Sequence, residues 1–212
     1  MSSAVQDGIE LAISASDRLP SVAIRNSDGE IRVEAPTDRT AGDLTGLIAD
    51  SFARWGHQPD ELRAIRLDLG PGSYTGLRVA VTFARTARQF QGVTVRTCTS
   101  LQLIALAALR EKMVTNDDRV RPVLDARRQR YHHALVATDG LQVLEAPSAV
   151  GLDELRDRIQ ANEVLLAAEP LHETLATTVL DRGAKLIAPP PWNAKLLFDD
   201  RLDLTATESA DL

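Results

Sequence analysis

The chain has 212 residues, 44% of them hydrophobic and 25% charged, the proportions of a globular protein long enough to bury a full core. Its net charge of −6 excludes the basic footprint of a general nucleic-acid binder while leaving room for a local basic patch. With Cys98 as the one cysteine, internal disulfides and thiolate metal cages are excluded as well. In chain order, MSSAVQDGIELAIS has neither a basic opening nor a continuous apolar stretch, so no signal peptide is expected. No later run reaches the length of a membrane span, and a reducing, cytoplasmic setting is expected. LAISAS (11–16), SVAIRNS (21–27) and EIRVEAP (30–36) read as strands, with Ser27-Asp28-Gly29 turning between the last two. Thr40 then opens a helix whose Leu44, Leu47, Ile48, Phe52 and Trp55 recur at helical spacing, and Gly56 ends it.

AIRLDLG (64–70) is a fourth strand, followed by a glycine loop and a helix from Ser73 to Gln91. VTVRTC (93–98) and SLQLIALAALREK (100–112) are a fifth strand and a third helix; TNDDR (115–119) reads as a linker. The grammar then restarts. RPVLDA (121–126), YHHALVAT (131–138) and LQVLEAP (141–147) are strands, with Asp139-Gly140 as a turn. A helix at 152–160, a strand at 164–169 and a helix at 171–181 follow. Two β-β-β-α-β-α units predict an α/β protein of duplicated ribonuclease-H-like lobes, the arrangement of actin and sugar kinases (the ASKHA fold). The expected division is an N-terminal lobe at 1–114, a smaller lobe at 115–190 and an irregular acidic tail at 191–212, opened by three prolines.

The loop DLGPGSYTGLR (68–78) lacks the endings of a P-loop and of a dinucleotide fingerprint. Gly70, Gly72 and Gly76 permit a sharp turn and a close approach, either to phosphate or to the protein's own backbone. Ser73 is placed to cap the helix. In that helix Leu77, Ala80, Val81, Ala84 and Ala87 form one stripe, and Val79, Phe83, Thr86 and Phe90 a second, about 120° away. A second apolar stripe is covered either by the same domain or by a partner. The preceding helix sets Gly42, Gly46, Ala49 and Ala53 opposite its core stripe. Each interior glycine costs about 1 kcal/mol relative to alanine. A groove for another helix and a plain solvent face are both compatible with that pattern.

Residues 70–105, GPGSYTGLRVAVTFARTARQFQGVTVRTCTSLQLIA, resemble the TsaB (YeaZ) family, in which a Gly-Pro-Gly-Ser-aromatic-Thr-Gly-Leu/Val-Arg loop opens a helix. Here that loop is Gly70, Pro71, Gly72, Ser73, Tyr74, Thr75, Gly76, Leu77 and Arg78. PVLDARRQRYHHALV (122–136) is similar to the family's strand, Asp-Ala-Arg-Arg turn and strand. The resemblance implies a non-catalytic partner of the related transferase TsaD. With the ATPase TsaE, that pair makes threonylcarbamoyladenosine at position 37 of tRNA. It further implies no cofactor of its own, ATP and Mg²⁺ entering only through partner subunits, and tRNA met indirectly. The first two helices would pack on TsaD or on a second copy, which maps onto Gly42, Gly46, Ala49, Ala53, Val79, Phe83, Thr86 and Phe90.

The sequence departs from the family at Ser14-Ala15-Ser16, where Asp-Thr-Ser is usual, at RTAGDL (39–44), where a His-Ser-type segment is usual, and in a tail without Tyr-Leu-Arg. The first departure removes the carboxylate that actin-like ATPases hold near Mg²⁺ and phosphate. Adjacent His132 and His133 point to opposite sides of a strand and cannot share a metal; His57 and His172 belong to no ligand motif. Asp125 reads as a turn residue, Arg127, Arg128 and Arg130 as a basic hairpin tip, and Cys98 as packed. Two other readings stay open: an autonomous ATP-binding enzyme with Ser73 and Arg78 near phosphate and Asp125 near a metal, and a homodimer that has lost TsaD.

Overall fold

The computed structural model describes residues 8–17, 19–36, 43–168 and 171–207, with the backbone alone at His172. Two compact units divide the chain, one holding the residues up to Cys98 with Asn193–Asp200 and those from Leu204 on, the other Thr99–Trp192 with Arg201–Asp203.

In the first unit β1 (Ile9–Ser14), β2 (Ser21–Arg25) and β3 (Ile31–Glu34) form an antiparallel meander, its second turn made at Gly29 with φ +82°. Helix α1 (Leu44–Trp55) leads through a 3-10 turn at Pro59–Glu61 to β4 (Leu62–Asp68). Helix α2 (Tyr74–Gln91) then leads to β5 (Thr94–Cys98). Because β4 and β5 run parallel to β1, the strand order is β5-β4-β1-β2-β3, and alternate residues face opposite sides. Leu11, Ile13, Ile65, Leu67 and Val95 meet Leu44, Ile48 and Phe52 of α1 and Ala80, Ala84 and Ala87 of α2 in one core.

Helix α1 begins later than Thr40, which lies outside the described residues. Its cap is Asp43, whose carboxylate accepts from the Thr45 N–H (3.0 Å) and hydroxyl (2.6 Å). The left-handed Gly56 ends the helix, as its position predicts.

The second unit opens with α3 (Ser100–Arg110), then β6 (Arg119–Asp125), β7 (Arg130–Ala137) and β8 (Val143–Gly151). Next come α4 (Leu152–Arg158), β9 (Glu163–Ala167), α5 (Leu171–Asp181) and β10 (Lys185–Ile187). Its order, β10-β9-β6-β7-β8, repeats the β5-β4-β1-β2-β3 part of the first sheet strand for strand. The duplicated ribonuclease-H-like, two-lobed ASKHA architecture read from the sequence is therefore present.

Residues 193–207 are more ordered than three prolines and an acidic end suggest. A 3-10 helix at Ala194–Phe198 buries Ala194, Leu197 and Phe198, and β11 (Thr205–Ala206) pairs antiparallel with β5. The aliphatic Leu197 and the ring of Phe198 supply the apolar area that the prolines preceding them lack. Among the described residues no helix is long and apolar enough to cross a membrane.

Candidate docking face and glycine loop

Ser73 caps α2, its hydroxyl accepting from the Gly76 N–H at 3.4 Å, while its own N–H donates to the Ser16 carbonyl at 2.7 Å. The loop therefore closes on the turn that follows β1. A Cβ on Gly72 would lie 2.1 Å from the Ser16 carbonyl oxygen, and one on Gly76 would lie 2.5 Å from that of Ala15. Only a residue without a side chain permits backbone to meet backbone this closely.

Beneath the contact, Asp68 at the end of β4 is fully buried. It accepts from the Ser14 hydroxyl at 3.0 Å, the Ala15 N–H at 3.2 Å and the Ser16 hydroxyl at 2.5 Å. Burial pushes its carboxyl above the ordinary range, against these hydrogen bonds, which favour the ionised form. The carboxylate missing from β1 thus has a counterpart arriving from β4, with two serines as its partners. Sequence reasoning passed over Asp68. Its signal was a charged residue at the end of an apolar strand, followed at once by the glycine loop.

The remaining loop residues separate. Gly70 is buried with φ +87°, and Pro71 is half-buried. Thr75 is exposed, and Tyr74, 74% exposed, lies under the Arg78 guanidinium at 5.4 Å from the ring centre.

The other predicted residues converge between α1 and α2. A cavity of about 430 Å³ is lined by Ala49, Phe52 and Ala53 from α1 and by Phe83, Thr86 and Phe90 from α2. Ala49 and Ala53 are exposed, Val79 and Phe83 half-buried, and Phe90 stands 77% exposed. A second cleft of about 460 Å³ continues past Val79, Thr82 and Phe83 to Tyr74 and Arg78. Gly42 lies outside the described residues. Gly46 has a local role: the Asp43 cap carboxylate sits 3.0 Å from where its Cβ would be. Thr45, Pro59 and Leu62 also line the groove. They went unnoticed because they lie off the helical stripes.

Among the described residues the other titratable candidates do not assemble into a reactive set. Cys98 is buried, and burial together with the Asp68 charge holds its thiol well above the usual range. His57 Nδ1 pairs with Glu61 at 2.9 Å. Asp125 accepts the Arg127 N–H at 2.7 Å, closing the β6–β7 turn on itself, as a turn residue does. His133 lies inside the second unit, its Nδ1 facing Arg121 Nη1 at 3.0 Å and its Nε2 facing the Ser148 hydroxyl at 3.1 Å, whereas His132 is half-buried on the other side of β7. Among the described residues no group of three or more His, Cys, Asp or Glu is arranged to hold a metal ion.

The family described as TsaD: tRNA N6-adenosine threonylcarbamoyltransferase matches residues 38–190. Among solved structures, YeaZ from Pseudomonas aeruginosa aligns with a TM-score of 0.70 at 18% identity, over 90% of this chain and 89% of that one. A second structure, an uncharacterized protein with similarity to peptidase YEAZ from Pseudomonas aeruginosa, aligns at 0.68 and 19% identity, over 90% of this chain and 88% of that one. No curated protein matches the chain in sequence. At these identities the structural likeness carries the fold and the family match carries the kinship. Together they bear out the resemblance to TsaB (YeaZ) drawn from residues 70–105 and 122–136. With nearly three-quarters of its length matched, the chain belongs to the family described as TsaD, tRNA N6-adenosine threonylcarbamoyltransferase, and carries that kinship on the fold of YeaZ.

Proposed function

We propose that this chain is a cytoplasmic, non-catalytic subunit that docks a TsaD-like transferase on its α1–α2 face and activates it. The product is threonylcarbamoyladenosine at position 37 of tRNA, with a TsaE-like ATPase in the same assembly and tRNA bound indirectly. The observation that carries this reading is the groove between α1 and α2. Small residues at Ala49 and Ala53 lower one wall, while Phe83 and Phe90 supply the apolar area that a docked helix buries. An aromatic ring 77% exposed beside such a groove is out of place on a solvent face.

We further propose that ATP and Mg²⁺ enter only through partner subunits. Supporting this, the Ser73 N–H and the faces of Gly72 and Gly76 are taken up by the Ser14–Ser16 turn rather than left open to a phosphate. A second reading, a homodimer through the same face, is favoured by the groove and its aromatic knobs lying on one surface, which suits a self-complementary two-fold contact.

The test is size-exclusion chromatography with light scattering, on the protein alone and mixed with the TsaD homologue of the same organism. A heteromeric peak that disappears in Ala49→Glu or Phe83→Glu is expected, because each places an unpaired charge in the contact. A heteromer unaffected by either substitution would remove the face from the proposal. A homodimer that ignores TsaD would replace the scaffold reading with the second one. Thermal stabilisation of the isolated protein by Mg-ATP would point instead to a nucleotide site of its own.

A further inference from the structure

The face of the first sheet opposite α1 and α2 is built differently. Glu10 and Arg25 are direct cross-strand partners on β1 and β2, and Arg66 and Arg96 are direct partners on β4 and β5. Neighbouring strands stand about 4.8 Å apart, so two like charges directly opposite each other destabilise the sheet. The three central side chains are held firmly. Glu10 accepts from Arg25 Nη2 at 2.7 Å and from Arg66 Nε at 2.8 Å. Arg66 also donates to the Leu197 carbonyl at 3.2 Å, and the Phe198 ring lies 4.7 Å below the Arg25 guanidinium and 5.3 Å below that of Arg66.

Arg63 adds a fourth guanidinium, anchored by the Asp60 carbonyl at 2.6 Å. Arg96 is exposed, and its guanidinium has no hydrogen-bond or ion-pair partner among the described residues. These five side chains line a cleft of about 460 Å³ in which, among the described residues, Glu10 is the one carboxylate. Among the described lining residues, four positive charges against one negative leave a surplus of cation on a chain whose net charge is −6.

We propose that this cleft binds phosphate, seating the oxyanion of an RNA phosphodiester or of a free phosphate between Arg66, Arg96 and Arg63. An anion there offsets the part of the Arg66–Arg96 repulsion left over by Glu10, which pairs with Arg66 but is shared with Arg25. Planar guanidinium forks, that of Arg66 held in place by Phe198 and Glu10 and that of Arg63 by the Asp60 carbonyl, suit tetrahedral oxyanions better than flexible lysines do. The site stands apart from the scaffold reading, since it lies on the other face of the sheet from the α1–α2 groove; with RNA as the source, it replaces the indirect tRNA contact of that reading with a direct one.

The experiment uses the full chain in two arms: binding of a tRNA transcript by fluorescence anisotropy across a salt series, and thermal-shift titration with inorganic pyrophosphate. Arg96→Glu is the principal variant. Arg96→Gln, which removes the charge and keeps a long stem, serves should the reversal disturb folding. Arg128→Glu at the exposed β6–β7 turn is the reference for non-specific attraction. Loss of about tenfold or more in RNA affinity on Arg96→Glu, with a salt slope shallower by about one charge, supports the site with RNA as its phosphate source. Pyrophosphate protection that disappears on Arg96→Glu supports it with free phosphate as the source. No binding of either probe by the wild type, binding unchanged by Arg96→Glu, or equal loss in Arg128→Glu overturns it. Ala49→Glu leaves both arms unchanged, so a failed scaffold and a failed phosphate site give different results.

Discussion

The two units share one strand order and bury charge in opposite ways. In the second, Arg121 on the central strand is wholly buried and makes a two-pronged contact with Glu163 at 2.8 and 3.0 Å. It also reaches Glu145 at 2.7 Å, the Arg158 carbonyl at 3.1 Å and His133. In the first unit the ends of β1 and β4 bury the Ser14–Ser16–Asp68 cluster, and the arginines of β2, β4 and β5 line the outer cleft. The helices differ too. α1 and α2 run 12 and 18 residues, whereas their counterparts α4 and α5 run 7 and 11. One topology has thus been used twice, once around an ionic core that leaves its polar groups satisfied inside, and once around an aliphatic core whose longer helices leave an apolar groove at the surface. A duplicated fold can divide its labour by where it places charge.

Substitutions and titrations sharpen that contrast, from the largest effect to the smallest. Arg121→Ala strands Glu163, 1% exposed, without its partner and is expected to cost about 3–5 kcal/mol in denaturant unfolding. Replacing Arg121 and Glu163 together with Met and Leu is expected to recover most of that loss; no recovery would show that the network does more than satisfy itself. In the first unit Gly72→Ala drives a methyl group into the Ser16 carbonyl. A cost of about 1–3 kcal/mol is expected, with weaker docking through α2, and an unperturbed melting temperature would contradict the close approach.

Two buried groups, one in each unit, respond to pH in opposite directions. Burial and the Arg121 charge lower the pKa of His133, so the native state stays neutral while the unfolded chain takes up a proton near 6.5. Stability falls as pH drops below about 6.5, a slope that His133→Gln is expected to flatten. Asp68 has a raised pKa, so the native state keeps its proton after the unfolded chain has lost it near 3.8. That contribution is present at acid pH and is lost as pH rises from 3.8 through the native value, and Asp68→Asn should abolish it. Stability profiles of the two variants that superpose on the wild type would remove both assignments. The smallest effect is expected at Phe90→Ser, which should change monomer stability by less than about 0.5 kcal/mol while weakening any complex formed on that face.

Period-two and helical patterns made most elements legible before any contact was known. The stripe Val79, Phe83, Thr86 and Phe90 could be read in one dimension because a helix maps sequence spacing onto a face. What could not be read depends on register between distant segments. Asp68 gains meaning only when β4 lies parallel to β1 and its carboxyl reaches Ser14 and Ser16. The arginine cleft exists because Arg66 and Arg96 fall opposite each other, a relation invisible in either strand alone. At the start of α1 several polar residues compete for one cap, and Asp43 takes it by reaching the Thr45 N–H. The segment at 193–207 was obscured by its prolines, although Leu197 and Phe198 carried the apolar signal.

That segment also orders the protein's assembly during synthesis. Ala194 donates its N–H to Ser21, Phe198 lies beneath Arg25 and Arg66, and the Thr207 N–H closes on Val95, all in the unit whose other strands are translated first. A ribosome delivers every strand of the second sheet before it delivers these contacts. The first unit to be started is therefore the last to be finished, and a nascent chain stopped at Trp192 leaves Arg25 and Arg66 without the ring on which they rest.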